Sequence, residues 1–254
     1  MPADASAAKI RVEGLYKAFD GKPVLQGLDL TIASGESVVV IGGSGSGKSV
    51  LLKHIIGLLR PDRGRVVVDE VAVNELSYRE ITGFRRRFGM AFQEGALFDS
   101  MDVAGNIAFP LTRAGRSPAA IRERVAECLG LVHLEGAEGK MPAELSGGMR
   151  RRVGFARAIA LEPEILLFDE PTSGLDPVMT GTIDDLIVEL RERLGTTTVT
   201  ITHDMTSAFR IADRIGMLFG GRIIAEAPPE EFRQLPDPRV QQFIRGEASG
   251  PLDD

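Results

Sequence analysis

Residues 42–49 have the composition and spacing of a loop that binds phosphate. They fit the pattern G-x-x-x-x-G-K-[ST] and lie between two apolar segments, residues 38–41 and 50–56. Glycines let successive backbone N–H groups point at an anion, and the following helix adds the positive end of its dipole. We therefore predict a phosphate site rather than a flexible Gly/Ser loop. Its residues are Gly42, Gly43, Ser44, Gly45, Ser46, Gly47, Lys48 and Ser49.

The last two residues of this loop have distinct predicted roles. The Lys48 ammonium would neutralise the β- and γ-phosphates of a nucleotide. The Ser49 hydroxyl would take one position on Mg²⁺, which keeps most of its other ligands as water and phosphate oxygens. The sequence therefore predicts a nucleotide site that also holds Mg²⁺.

Two acidic residues follow a second apolar segment, residues 165–168. A continuous apolar run of this length is typical of a buried parallel strand. Asp169 is suited to hold Mg²⁺ through water, and Glu170 is suited to polarise an attacking water as a general base. The alternative is a solvated acidic pair at a strand end, which a phosphate loop in the same chain disfavours.

Two other polar side chains follow predicted strands. Gln93 ends an apolar strand, and His203 follows residues 197–202. Because ligands of open parallel sheets bind outside the carboxyl ends of the strands, we expect both side chains and the acidic pair to converge on the phosphate loop. His203 would contact the γ-phosphate and place the water. Phe19, in a predicted loop, either stacks on a purine base or is an ordinary core aromatic.

A second glycine-containing segment, residues 145–149, immediately precedes a predicted helix. A serine and two glycines at a helix start form an anion site by the same physics as the first loop. One nucleotide rarely needs two phosphate sites in one chain. We therefore expect Ser146, Gly147 and Gly148 to cap a nucleotide bound to another copy of the chain. Asp176 is predicted to cap the helix that follows it.

The segment from residue 95 to residue 160 has a mostly helical pattern, with breaks predicted at Pro110, at residues 115–118 and at residues 136–142. Ser117 precedes Pro118 and is predicted to cap the helix that begins there.

Composition excludes several classes of protein. The 254 residues carry a formal net charge of -6, which argues against a nucleic-acid-binding surface. The arginine triplets 85–87 and 150–152 are predicted to be solvated faces or contacts to a partner protein. The single cysteine, Cys128, excludes an internal disulfide and is predicted to be a buried core residue. No apolar run approaches the roughly 20 residues of a membrane span.

The order of these motifs resembles that of the nucleotide-binding subunits of ABC transporters. In the terms of that family, Phe19 matches the base-stacking aromatic, residues 42–49 the Walker A motif, Gln93 the Q-loop, residues 145–149 the signature, residues 165–170 Walker B with the catalytic glutamate, residues 173–176 the D-loop, and His203 the switch histidine. Met149 stands where the family usually has glutamine. The resemblance implies an ATPase that binds ATP and Mg²⁺ and works as a homodimer.

The resemblance also implies a fold and a set of site residues. We expect an α/β P-loop NTPase with a RecA-like parallel core, an N-terminal antiparallel β subdomain and a helical subdomain inserted at about residues 95–160. The expected boundaries are a disordered leader at 1–9, the ATPase domain at 10–235 and a tail at 236–254 that contacts a neighbouring subunit. The expected catalytic residues are Lys48, Gln93, Glu170 and His203, the expected metal residues are Ser49, Gln93 and Asp169, and the expected nucleotide contacts include Phe19, Ser146, Gly147, Gly148 and Asp176.

A narrower resemblance concerns residues 92–98, 106–111, 141–149 and 236–243, which are similar to the Mla-type ATPase of the MCE lipid transporters. It implies a peripheral subunit on the cytoplasmic face of the bacterial inner membrane that serves phospholipid transport and outer-membrane lipid asymmetry. The implied partners are a permease, an MCE-domain protein and a small STAS-domain protein, with membrane contact only through them and no nucleic acid.

Three alternatives remain open from the sequence. The chain could be the ATPase of another ABC importer or exporter. It could be a soluble ABC-type ATPase that acts on nucleic acid or ribosomes, although the long coiled-coil insertion of the chromosome-maintenance class is missing between the two glycine segments. A regulatory nucleotide-binding module without turnover is disfavoured because Glu170 and His203 are both present.

Overall fold

The computed structural model describes residues 8–252. These residues form two units, and the chain passes from the first unit to the second and back again. The first unit contains the described residues up to Ile81 and from Thr200 onward, and the second unit is Thr82–Val199. The strands are β1 (Ala8–Phe19), β2 (Lys22–Ala33), β3 (Ser37–Ile41), β4 (Arg63–Val68), β5 (Val71–Ala72), β6 (Phe88–Ala91), β7 (Ile165–Asp169), β8 (Thr197–Thr202), β9 (Arg214–Phe219) and β10 (Arg222–Ala227). The helices are α1 (Lys48–Ile55), α2 (Tyr78–Phe84), α3 (Val103–Arg113), α4 (Pro118–Leu131), α5 (Gly147–Ile159), α6 (Pro177–Leu194), α7 (Met205–Ile211), α8 (Pro229–Phe232) and α9 (Pro238–Arg245).

An antiparallel sheet in the order β2-β1-β4-β5 forms the N-terminal part of the first unit. Ile10 of β1 pairs with Ile32 on one side and with Val68 on the other, and all three side chains are fully buried. The turn between β1 and β2 has positive φ at both Asp20 (50°) and Gly21 (76°), the geometry that matches the twist of a two-residue hairpin. The expected N-terminal antiparallel sheet is confirmed.

The strand that leads into the phosphate loop is buried along its whole length. β3 pairs in parallel with β9, from Val38 opposite Arg214 to Ile41 opposite Met217, and β9 pairs with β10 in antiparallel. A strand that is buried on both faces must be apolar throughout, which explains the β-branched run. This part of the first unit therefore holds the phosphate loop on a rigid strand.

Parallel strands and helices make up the second unit. β6 and β7 pair in parallel, from Phe88 opposite Ile165 to Ala91 opposite Phe168. α5 contacts β6 closely, because a Cβ at Gly89 would lie 2.3 Å from the Ala158 carbonyl oxygen. α3 and α4 pack against α5. The predicted α/β class, with parallel strands and a helical segment, is confirmed.

Several local predictions are confirmed by the structure. The Ser117 hydroxyl caps α4 by accepting a hydrogen bond from Ala120 N at 3.3 Å, and Asp176 caps α6. Cys128 is fully buried, and burial raises the pKa of its thiol to about 11. The thiol is therefore neutral at physiological pH and serves as a small core side chain.

The start of the chain differs from the expected boundaries. β1 begins at Ala8, which pairs with Ala33, so the strand starts before Ile10 and includes the last part of the expected leader. The rest of that leader, residues 1–7, lies outside the described residues. Phe19 is the last residue of β1, not part of a loop, because it pairs with Lys22 across the tight turn.

Pro110 is a second position at which the structure differs from the prediction. Pro110 was expected to break the helix, yet it lies inside α3. A proline in a helix interior removes one backbone hydrogen bond and costs about 3 kcal/mol. Ile107 and Leu111 on either side of it are buried, so tertiary packing outweighs this local cost.

The C-terminal tail contains a helix that the sequence did not predict. α9 begins after Asp237, whose carboxylate accepts from the backbone and guanidinium of Arg239. These bonds lower the pKa of Asp237 to about 2. Gln242 on α9 is buried and binds the chain that follows through Glu247 O at 3.2 Å and Leu252 N at 2.8 Å. Within residues 8–252, no helix has the length and apolar character needed to cross a membrane.

An ion-pair cluster around Arg214 joins four segments of the first unit. The guanidinium donates to Glu36 Oε1 at 2.8 Å, to the Glu226 carboxylate and to the Thr31 carbonyl. The three charged side chains are between 16% and 31% exposed. Burial raises the pKa of Glu226, and the Arg214 guanidinium opposes this only in part.

We predict that Arg214→Met lowers the stability of the protein by about 2 kcal/mol, less than the 3–5 kcal/mol for a fully buried pair, because two carboxylates lose their cation. The raised pKa means that the folded state binds the Glu226 proton at a higher pH than the unfolded chain does. Without the Arg214 guanidinium, Glu226 is protonated more readily, so acidification restores more stability to the variant than to the parent. The difference in the free energy of unfolding between the two proteins should therefore be smaller at pH 5 than at pH 8. Denaturant unfolding at both pH values measures this.

The exposed Arg122→Met is the matched control and should be neutral. A loss in Arg214→Met that is equal at both pH values would contradict the role given to Glu226.

Candidate functional site

Three glycines give the phosphate loop its shape. Gly42, Gly45 and Gly47 have φ values of 159°, 77° and 104°. A Cβ at Gly42 would lie 2.5 Å from the Leu218 carbonyl oxygen, so only glycine fits against β9. A Cβ at Gly45 would meet nothing within 4 Å, which means that the loop has open space beside this residue. The loop thus combines left-handed backbone with room for a ligand, as an anion-binding nest requires.

Lys48 is held at the start of α1 by the loop itself. Its side chain is buried, and Nζ donates to Gly42 O at 2.7 Å and Gly43 O at 3.0 Å. The cap residue of α1, Gly47, has no side chain to bond the first-turn amides. A helix N-terminus with a lysine beside it attracts a phosphate. These features fit the predicted binding of a nucleotide's phosphates.

Phe19 lies in the same unit, at the end of β1. The residue is 41% exposed, so the alternative that it is a core aromatic is wrong. Lys17 Nζ lies 5.5 Å from the ring centroid and donates to Asp62 Oδ1 at 2.8 Å. Asp62 also accepts from Ala18 N at 2.7 Å and so fixes the end of the strand. Base stacking by Phe19 stays a prediction.

His203 belongs to the first unit as well. It follows β8 directly and is exposed, and the next residue, Asp204, caps α7 by accepting from Thr206 N at 2.8 Å. The strand and the capped helix therefore fix the backbone on both sides of His203.

The second unit brings Gln93 and the acidic pair to one edge of a parallel strand pair. Ala91 and Phe168 are opposite each other at the ends of β6 and β7, so the loops that carry Gln93 and Glu170 leave the same edge. Gln93 Nε2 donates to Ser173 Oγ at 3.2 Å. Asp169 ends β7 and is partly exposed, as a ligand for Mg²⁺ requires.

Glu170 has an unusual backbone. Its φ is 49°, in the left-handed region that a side chain other than glycine, asparagine or aspartate rarely adopts. Such strain costs on the order of 1–3 kcal/mol and persists where neighbouring contacts over-determine it, often at functional sites. This strain is consistent with the predicted catalytic role of Glu170.

The second glycine segment starts α5. Ser146 is exposed and caps the helix by accepting from Met149 N at 3.2 Å, and Gly147 and Gly148 form its first turn. Asp176 is likewise a cap, and its Oδ1 accepts from Val178 N and Met179 N, both at 3.0 Å. Both segments are helix N-termini in the second unit, which is the geometry expected of the predicted nucleotide contacts.

The predicted site residues are thus divided between the units. The phosphate loop, Phe19 and His203 belong to the first unit. Gln93, Asp169, Glu170, the Ser146 segment and Asp176 belong to the second unit.

The sequence missed the role of the arginines of α5. The triplet 150–152 was expected to be a solvated face or a partner contact, but Arg151 is only 6% exposed and donates to the carbonyls of Gln93, at 2.8 Å, and Ser173. The solvated alternative is therefore wrong for Arg151. A glycine inside the same helix, Gly154, was the available signal, because it marks a close approach of another backbone.

Comparisons with known proteins agree with the predicted fold and with the predicted ATPase activity. The family model for ABC transporters matches residues 25–173. The chain is 43% identical to the probable ribonucleotide transport ATP-binding protein mkl of Mycobacterium tuberculosis, over 96% of this chain and 68% of that protein. It is 46% identical to the methionine import ATP-binding protein MetN of Caulobacter vibrioides, over 91% and 69%. It is 40% identical to the intermembrane phospholipid transport system ATP-binding protein MlaF of Haemophilus influenzae, over 96% and 92%.

Solved structures share the fold. The cbiO1 protein of Clostridium perfringens, part of an ABC transporter complex, has a TM-score of 0.83 at 31% identity and covers 94% of this chain and 99% of that one. The ATP-binding cassette MJ0796, as a dimer in a post-hydrolysis state with ADP and Pi, has a TM-score of 0.78 at 33% identity and covers 87% and 98%.

The shape of the phosphate loop leads to a direct test. In Gly47→Ala the new Cβ would lie 3.0 Å from Leu25 Cδ2 at a φ of 104°, which an alanine adopts only under strain. We predict that the affinity for a fluorescent ATP analogue falls at least about tenfold, which corresponds to roughly 1.4 kcal/mol. Gly139→Ala, at a position with open space and ordinary φ, is the control. Unchanged affinity in Gly47→Ala would contradict the assignment of this loop.

Proposed function

Because the chain belongs to the ABC transporter family and is an ATPase, we propose that it energises a transporter that moves phospholipid between membranes of the bacterial envelope. The observation that carries this proposal is the match to MlaF of Haemophilus influenzae, which covers 96% of this chain. The segments that resemble the Mla-type ATPase, among them residues 92–98 and 141–149, agree with it.

ATP binding is the first step of the proposed mechanism. Lys48 and the amides of residues 42–49 bind the phosphates, and Phe19 stacks on the base. Lys48 already faces two loop carbonyls, so its ammonium exchanges these acceptors for phosphate oxygens. The open space beside Gly45 supports a ligand at this side of the loop.

Mg²⁺ belongs to the same site in this proposal. The residues that would hold it are Ser49, Asp169 and Gln93, a hydroxyl, a carboxylate and an amide, which are the oxygen donors that Mg²⁺ prefers. When bound, Mg²⁺ neutralises charge on the phosphates.

Hydrolysis depends on two side chains that orient water. Glu170 acts as general base, and His203 holds the water and the γ-phosphate in place. We assign the second nucleotide contact to another copy of the chain: Ser146, Gly147 and Gly148 bind the γ-phosphate of the partner's nucleotide, with Asp176 nearby. Such a homodimer closes on ATP and opens after hydrolysis. The dimeric MJ0796 cassette supports this arrangement.

The partners of the proposed complex are a permease, an MCE-domain protein and a STAS-domain protein, and the chain lies at the cytoplasmic face of the inner membrane through them. The second unit offers an apolar surface for the permease. Phe92 and Phe98 are each 40% exposed and line a cavity of about 320 Å³ together with Phe109. Exposed aromatic side chains are enriched at protein interfaces.

A second candidate function is import of methionine or another small solute. The 46% identity to MetN favours it. Both candidates use the same ATP chemistry and differ in the permease and the substrate.

For the chemistry, we predict that Glu170→Gln lowers ATP turnover by about 10²–10⁴-fold while ATP affinity is retained, because an amide cannot accept the water's proton. Phosphate release and binding of an ATP analogue measure the two quantities. Full turnover in this variant would sink the assignment of the base.

For the substrate, the tagged chain is purified from its native membranes in mild detergent, and its bound proteins and lipids are identified. Recovery of a permease, an MCE-domain protein and phospholipid supports the proposal. A permease with a solute-binding protein and no phospholipid supports the importer instead, and soluble nucleic-acid or ribosomal partners overturn both.

A further inference from the structure

The guanidinium of Arg151 binds backbone from two separate loops. It donates to the Gln93 carbonyl at 2.8 Å and to the Ser173 carbonyl, and only 6% of the residue is exposed. Burial lowers the pKa of Arg151, and the Glu94 carboxylate opposes this only in part. A buried guanidinium must have its donors satisfied, and two carbonyls at fixed positions suit its planar fork.

The two loops also contact each other directly. Gln93 Nε2 donates to Ser173 Oγ at 3.2 Å. Gln93, Arg151 and Ser173 therefore form a closed set of hydrogen bonds, which we name the Arg151 cluster. It lies entirely within the second unit.

One side of the Arg151 cluster continues into the acidic pair. Ser173 N donates to Glu170 O at 3.3 Å and closes a turn over residues 170–173. Glu170 begins this turn with its left-handed φ of 49°. Arg151 fixes the carbonyl at the other end of the turn, and a strained backbone persists only when such contacts over-determine it.

The other side continues along α5. Arg157 donates to Gly95 O at 2.7 Å and Ala96 O at 2.8 Å, and a Cβ at Gly154 would lie 2.8 Å from Gly95 Cα. The loop after β6 is thus bound to α5 at several points. In contrast to Arg157, Arg151 also reaches the loop after β7, so it is the arginine that ties the two loops together.

We propose that Arg151 is a positioning residue for ATP hydrolysis: it holds the Gln93 side chain and the Glu170 turn in a fixed mutual register. It acts through these residues and touches no reacting atom. The inference rests on the proposed roles of Gln93 and Glu170 and is independent of what the transporter carries.

The closest comparison within the chain is Arg152, the next residue on α5. It donates to the carbonyls of Val132, at 3.4 Å, and His133, at 3.0 Å, and so also binds α5 to a loop. These contacts involve neither Gln93 nor Ser173. Arg152→Met therefore reports the structural cost of losing an arginine from α5.

The test measures kcat and the ATP concentration at half-saturation for Arg151→Met, Arg151→Lys and Arg152→Met, with thermal unfolding of each. We expect Arg151→Met to lower kcat at least about tenfold with half-saturation changed less than about twofold, because misplaced groups impair chemistry more than binding. Arg151→Lys should lie between this variant and the parent, since an ammonium lacks the fork. Arg152→Met should keep the parental kcat even if its unfolding temperature falls. A kcat in Arg151→Met equal to that of Arg152→Met would overturn the inference.

A double variant separates positioning from a general loss of structure. If Arg151 acts in part through Gln93, the loss of kcat in Gln93→Ala with Arg151→Met is smaller than the product of the two single losses. A combined loss equal to the product overturns this. Should Arg151→Met fail to fold, Arg151→Lys decides: a kcat lowered at least about threefold supports the inference, and a parental kcat overturns it. Failure of the proposed chemistry would be distinct, because Glu170→Gln would then retain turnover.

Discussion

The N-terminus of α1 is the constraint on which the phosphate site depends. Seven other helices in the described chain are capped by the side chain of the residue before them, which is Ser77, Asp102, Ser117, Ser146, Asp176, Asp204 or Asp237. α1 begins after Gly47, which has no side chain and adopts a left-handed φ. The loop before α1 starts from β3, which is buried along its whole length. It passes so close to β9 that only glycine fits at position 42. Sheet packing therefore fixes the position of the predicted phosphate site.

Hydrogen bonds from arginines to backbone carbonyls hold the loops that carry the predicted catalytic residues Gln93 and Glu170. Arg151 and Arg157 bind the carbonyls of the loop after β6, and Arg151 adds the loop after β7. The strained Glu170 lies three residues from one of these carbonyls. A charged donor to a carbonyl is stronger than a neutral one, so these bonds can hold a loop whose own sequence is short and glycine-containing. The first two turns of α5 contain no acidic residue that could pair with its arginines. Their partners are instead the carbonyls of the neighbouring loops.

The sequence was a good guide where one strong local signal determined the structure. The apolar run at 165–168 predicted a buried parallel strand, and Ser117 and Asp176 predicted helix caps, because each depends on nearby residues alone. Pro110 was misread because Ile107 and Leu111 outweigh its local cost. Arg151 was misread because its partners are backbone carbonyls 22 and 58 residues away, which no spacing in the sequence reveals. α9 was missed since its cap, Asp237, lies in a segment with few apolar residues.

In the proposed mechanism each nucleotide is bound by two copies of the chain, and the mass of the protein in solution tests this most directly. The Glu170→Gln protein, which is expected to bind ATP without consuming it, is measured by light scattering with and without ATP and Mg²⁺. We expect the mass of one chain without nucleotide and of two chains with it, and a return to the mass of one chain when the Ser146→Arg substitution is added. A mass of one chain with ATP demonstrably bound would contradict the shared site.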